Sequence, residues 1–228
     1  MSDATELLTL HALRLRSLCS ADVVAARFDL DPTLVAAVLD DAARRDLVQH
    51  RDGRLSGWSL TTDGRHFAEQ LLADELGAAG TSDQVAAAYV EFLELNPQVL
   101  TVCADWQVVE VDGQSVVNDH SDPARDERVL DRLSSLHARA LPVTYALGGA
   151  LARMDGYAAR LTHAHDSVIA GDHQWLTKPT IDSYHSVWFE LHEDLLATLG
   201  RSRTDERTAA AAADEQEANA ERAAEEYA

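Results

Sequence analysis

The string Leu60-Thr61-Thr62-Asp63-Gly64-Arg65 constrains this chain more than any other segment, because it sets a strand end, a helix cap and a glycine side by side. Just upstream, Gln49-His50-Arg51-Asp52-Gly53-Arg54 carries an Asp-Gly pair, which accepts the positive φ angles of a tight hairpin. Trp58 and Leu60 then supply the returning strand. Thr61 to Asp63 offer oxygens to cap the next helix, and Gly64 with Arg65 opens it. This part of the chain is therefore expected to be a short basic hairpin that feeds directly into a helix.

The residues before the hairpin read as three helices. Leu7, Leu8, Leu10, Leu13, Leu15 and Leu18 give the first an apolar side. Ser20 stands as the cap of a short second helix, Ala21 to Phe28, and Asp31-Pro32 starts a third with an acidic cap and proline at its first position. That third helix, to about Asp46, is expected to bury Leu34, Val35, Val38, Leu39 and Ala42. Two short helices in succession followed by a hairpin form the order of a helix-turn-helix with a wing.

With hairpin, helix pair and L-T-x-x-G-R in register, residues 4–76 resemble the winged helix domains of MarR-like and PadR-like transcription regulators. The resemblance implies double-stranded DNA as partner. The helix from Thr33 to Asp46 would enter the major groove, and Arg51 and Arg54 would lie along the adjacent minor groove or phosphates. It also implies a homodimer, which sets two such helices about one DNA turn apart. The outward positions of the third helix are Thr33, Ala36, Ala37, Asp40 and Asp41, with Arg44 and Arg45 only at its end. Such a surface holds few of the side chains that read base edges, so the alternative is a winged helix adaptor that binds another protein and never touches DNA.

Charge sharpens that choice. The net charge is −20, and residues 1–77 carry 8 arginines against 13 acidic residues, so phosphate contacts must come from arginines gathered on one face. The stretch Gly77-Ala78-Ala79-Gly80-Thr81-Ser82 marks an expected boundary between a domain at 1–77 and a helical domain at 78–200 for ligand sensing or dimerisation. Helices are expected at about 83–95, 97–109, 123–140, 142–153, 157–170 and 180–199, with breaks at Asn96-Pro97, Gly113 and Pro142. Residues 201–228 collapse to Ala, Glu, Asp and Arg and read as a disordered tail or frayed helix. The expected fold class is therefore mainly α, a winged helix-turn-helix with a small β-hairpin followed by a helical bundle.

The densest polar-aromatic segment runs from Asp182 to Leu196. On a helix, Ile181, Tyr184, Trp188, Leu191 and Leu195 form one stripe, and Asp182, His185, Phe189, His192 and Leu196 form another beside it. Tyr184, His185, Trp188 and His192, with Trp106 and His120 as neighbours, are the candidate contacts for a small organic effector; core packing with satisfied histidines explains the same residues equally well. His185 and His192 lie about 10 Å apart along a helix, too far to share one ion, and no H-E-x-x-H string is present, so no metal is expected. No G-x-S-x-G, phosphate-binding glycine loop or dinucleotide fingerprint occurs, so neither an enzyme nor a cofactor is expected. Asn118 to Asp122 and Ser183 to Leu195 also resemble uncharacterised actinobacterial regulator-like regions, which implies no activity. Cys19 and Cys103 read as buried apolar residues. Without a long apolar run or a basic leader, the protein is expected in the cytoplasm and off the membrane.

Overall fold

Thr61 and Gly64 occupy the positions their sequence context demands. The Thr61 hydroxyl accepts the Gly64 N–H at 3.0 Å and donates to the Asp46 carbonyl at 2.7 Å, so it caps one helix and ties it to the preceding chain. A Cβ on Gly64 would lie 1.8 Å from the Leu47 carbonyl oxygen, so only glycine permits this approach. These contacts come from a computed structural model that describes residues 3–111, 113–206 and 208.

The chain is mainly helical, with two small antiparallel hairpins. α1 (Asp3–Arg16) leads to α2 (Ala21–Arg27), whose Ser20 cap accepts the Val23 N–H, and then to α3 (Pro32–Arg44), whose Asp31 cap accepts the Thr33 N–H at 2.7 Å. Asp29, at φ 51°, takes the left-handed position in the turn between α2 and α3. β1 (Val48–Arg51) pairs with β2 (Gly57–Leu60), Val48 opposite Leu60 and Arg51 opposite Gly57. Cys19 extends this ladder, since its backbone exchanges both hydrogen bonds with Trp58. α4 (Thr62–Ala79) then runs out of the hairpin and ends at Gly80, whose φ of 65° closes it.

The remainder is built on α5 (Ser82–Gln107) and α6 (Pro123–Ala150), antiparallel and in contact over their length, with β3 (Val108–Val111) and β4 (Gln114–Val117) as the hairpin between them. A 3-10 turn at Ala152–Met154, α7 (Gly156–Ile169), the short α8 (Gln174–Thr177) and α9 (Tyr184–Thr198) complete the order. The buried apolar side chains form two main clusters. Leu10, Leu13, Val24, Val35, Leu39 and Val48 fill the N-terminal one; Phe92, Leu133, Leu147, Met154, Leu161 and Trp188 lie in the other. Leu7, Leu72 and Ala197 form a small third cluster between them.

Several local expectations need correction. Pro97 and Pro142 stand inside single continuous helices, and the expected breaks at those positions are absent. Both rings are exposed, so water can satisfy the freed carbonyls while packing of α5 on α6 outweighs a local penalty of about 3 kcal/mol. β3 and β4 form a hairpin where a helix end and an interruption were expected; the signal is two valine-rich runs about Gly113, which sits at φ 76°. Leu34 is 50% exposed and lies outside the core of α3. α9 begins at Tyr184, where Ser183 caps it, and not at residue 180. The first residues of the expected tail pack on the bundle, for Glu206 accepts hydrogen bonds from His192 at 2.8 Å and from Tyr89. Apart from residues 201–206 and 208, the tail lies outside the described residues. Among the described residues, no helix is long and apolar enough to cross a membrane.

Candidate functional site

The face that α3 turns to solvent is uncharged over its first two turns and carries charge only from Asp40 onward. Thr33, Leu34, Ala36, Ala37, Asp40 and Arg44 are exposed on it. Arg44 donates to Asp41 at 2.9 Å. Arg45 donates to Glu6 at 2.5 Å and lies 4.7 Å over the Phe67 ring, so both basic groups at the end of α3 are engaged within the chain. Arg51 and Arg54, on the hairpin and its turn, are exposed and form no ion pair among the described residues. The His50 imidazole meets Asp52 at 3.2 Å and the Trp58 ring edge-on at 4.9 Å, which stiffens the root of that hairpin.

The six candidate effector residues fall into two sets. Trp106, buried, stacks near His120 with ring centres 4.4 Å apart and meets His173 at 4.9 Å. Asn118 organises this corner, because its amide donates to the Trp106 carbonyl at 3.0 Å and to Asp126 at 3.1 Å, while His120 Nδ1 lies 2.9 Å from the other Asp126 oxygen. The second set runs through the bundle core. Phe92 stacks on Trp188 at 4.6 Å, Trp188 is parallel to Tyr184 at 6.5 Å, and Tyr184 meets His137 edge-on. Trp188 donates its indole N–H to Asn96 at 3.0 Å, and His192 is buried against Phe92 and Glu206. His185 is half-buried, and burial pushes its imidazole below the ordinary value. Tyr184, Trp188 and His192 are thus packed side chains at the bundle centre, and Trp106 with His120 sits apart from them at the C-terminal end of α5.

A group the sequence did not single out joins the two halves of the molecule. Arg153, in the 3-10 turn and 7% exposed, donates to Asp194 of α9, to Glu75 of α4 at 2.6 Å and to Thr198 at 2.6 Å. His11 of α1, fully buried, meets Asp194 at 3.0 Å, and Tyr157 donates to the second Asp194 oxygen at 2.9 Å. One turn earlier, buried Glu190 accepts from Arg16 at 2.9 Å, Arg27 at 2.5 Å and Arg160 at 2.7 Å; Arg16 and Arg160 also reach Asp182. Four arginines therefore face Glu75, Asp182, Glu190 and Asp194 across a seam between α1, α2 and α4 on one side and α7 and α9 on the other.

Burial alone would raise the Asp194 carboxyl, yet Arg153 and His11 hold it far below the usual carboxylate range. Burial outweighs Asp194 at His11 and keeps that imidazole below its ordinary value. A neutral His11 with its proton on Nε2 donates to Asp194, which leaves Nδ1 a buried acceptor with no partner among the described residues. The seam is electrically balanced, closed to solvent around Arg153, Asp194, Arg27 and Glu190 and open at Asp182 and Arg16, and it ties the two apolar clusters together. Its signal in the sequence was Glu190 and Asp194, four residues apart on one side of a helix whose other neighbours, Val187, Leu191 and Leu195, are apolar.

Among the described residues no group of three or more His, Cys, Asp or Glu is arranged to hold a metal ion. Comparison of the chain with family models, curated proteins and solved structures finds no match.

Proposed function

We propose that this protein is a DNA-binding transcription regulator in which α1 to α4 with the first hairpin form a winged helix-turn-helix and the bundle serves sensing or dimerisation. The observation that carries the reading is the hairpin with its one-residue bridge to Cys19, set directly after the α2–turn–α3 pair and bearing two exposed arginines without ion-pair partners among the described residues. In this reading Arg51 and Arg54 supply the phosphate contacts, and α3 contributes Thr33 and apolar contacts to thymine methyl groups from Ala36 and Ala37. Arg44 and Arg45 contribute less, since Asp41 and Glu6 already hold them. Two protomers are required for useful affinity, because each offers few cations against a net charge of −20. The working compartment would be the cytoplasm.

Duplexes enriched from a random pool provide the test. Arg51→Ala with Arg54→Ala is expected to weaken binding on all of them alike and to lower the salt slope by about one per lost phosphate contact. The same affinity and slope for the double variant in an anisotropy titration would remove the wing from the interface. A second reading has its own support, since Val23 on α2 and Leu34, Ala36 and Ala37 on α3 are apolar side chains left exposed on the helix pair. If no duplex is enriched even at low salt, the winged helix is an adaptor that meets another protein through that face.

A further inference from the structure

In a chain so acidic, one cationic stripe needs an explanation. Arg125, Arg128, Arg132 and Arg139 recur on α6 at steps of three, four and seven residues, so they share one side of the helix over about 21 Å. That side faces the second half of α5, and two adjoining clefts open between the helices. The first, of about 510 Å³, is bordered by Asp105, Arg125, Arg128, Val129, Asp131 and Arg132. The next, of about 280 Å³, is bordered by Arg132 again with Arg139, Gln98, Thr101, Val102 and Leu136. Among the described residues that line these two clefts, four arginines stand against Asp105 and Asp131, whereas residues 78–200 as a whole carry 7 basic against 18 acidic residues.

Three of the guanidinium groups are held in place by a neighbour and keep further N–H donors to spare. Arg132 donates to Asp105 at 2.7 Å, Arg139 to Gln98 at 3.0 Å, and Arg125 to the Val108 carbonyl at 2.9 Å. The Arg125 Nη1 is buried and has no partner among the described residues, and Arg128 is exposed with no ion pair among them. Val102, Val129 and Leu136 give the groove an apolar floor. A fixed fork of donors above an apolar floor recognises an oxyanion attached to a carbon skeleton.

We propose that the α5–α6 groove is the effector site, and that it binds a small organic anion with two phosphate or carboxylate groups. Arg128 and Arg132, one helical turn apart, take one group; Arg132 and Arg139, two turns apart, set the reach to the second at about 6–10 Å. This rests on the regulator reading only in naming the ligand an effector, because the binding itself needs no DNA.

Calorimetric titration of the full chain with fructose 1,6-bisphosphate and, separately, with adipate, at one fixed ionic strength, tests the site and tells phosphate from carboxylate. Saturable binding of either is expected, weakened about tenfold or more by Arg128→Ala with Arg132→Ala and unchanged by Arg65→Ala on α4. The single variant Arg128→Glu, at an exposed position, should lose binding as well while its thermal melt stays that of the parent. Absence of saturable heat with both probes, or equal affinity in the arginine variants, overturns the proposal. Because these titrations contain no duplex, their failure leaves the DNA reading standing, and a chain that takes up a probe but no duplex separates the two the other way.

Discussion

Asp194→Ala is expected to lower the stability of the protein by about 3–5 kcal/mol, because it strips the partner from a guanidinium that cannot reach water. Arg153 is 7% exposed and Asp194 fully buried, so the cation left behind keeps Glu75, Thr198 and the His11 ring, of which Glu75 alone carries a negative charge. Urea unfolding followed by circular dichroism reads the loss directly. The companion variant Arg153→Met with Asp194→Leu removes both charges, and its loss should be clearly smaller than that of Asp194→Ala alone, since apolar side chains of similar volume replace a buried pair at little or no cost. A single variant within about 1 kcal/mol of the parent would show that water reaches the seam and that the coupling between the two apolar clusters is loose.

That seam also marks the limit of what the sequence discloses. The hairpin and cap were legible at Asp52-Gly53 and Thr61 to Gly64 because their causes are local: a positive φ, a side-chain oxygen within reach of an N–H, and a glycine where a Cβ would strike Leu47. The caps at Ser20 and Asp31 follow the same logic, whereas Ser183, which caps α9, lies inside the helix expected from about residue 180. The course of α5 and α6 through Pro97 and Pro142 was not legible, because a local penalty was overruled by a long helix–helix contact that no window of the sequence contains. The Arg153–Asp194 and Arg27–Glu190 pairs are hidden for the same reason: their members lie far apart in the chain, and Asp194 meets Arg153 only when α9 packs beside the 3-10 turn, as Glu190 meets Arg27 only when α9 comes up to α2. The aromatic run of α9 was visible as a run. Its division was not, for Trp106 with His120 at one corner and Tyr184 with Trp188 in the core depend on which level of α5 each meets.

Acid should weaken this protein before most of its carboxylates titrate, and buried histidines are the reason. Burial, helped by the neighbouring His165, pushes His137 down to about 4 from an ordinary 6.5, and burial likewise lowers His11 and His185. Below 6.5 the unfolded chain takes up protons that the folded chain refuses, so stability falls as pH drops through that value toward the folded pKa. For His137, buried and stacked 4.3 Å from His165, the loss reaches about 2 kcal/mol by about pH 5. A second window opens at lower pH. Asp182, Glu190 and Asp194 are all held below their ordinary values by the arginines of the seam, so the stability they contribute is present above those values and fades as pH falls further. Urea midpoints at about pH 7.5, 6 and 5 resolve the first window. His137→Gln, which cannot titrate, is expected to flatten the slope between the last two points even if its stability at neutral pH is lower. A midpoint that holds constant from about pH 7.5 to 5 would mean that His11 and His137 take up their protons without unfolding, which the closed packing around both rings does not allow.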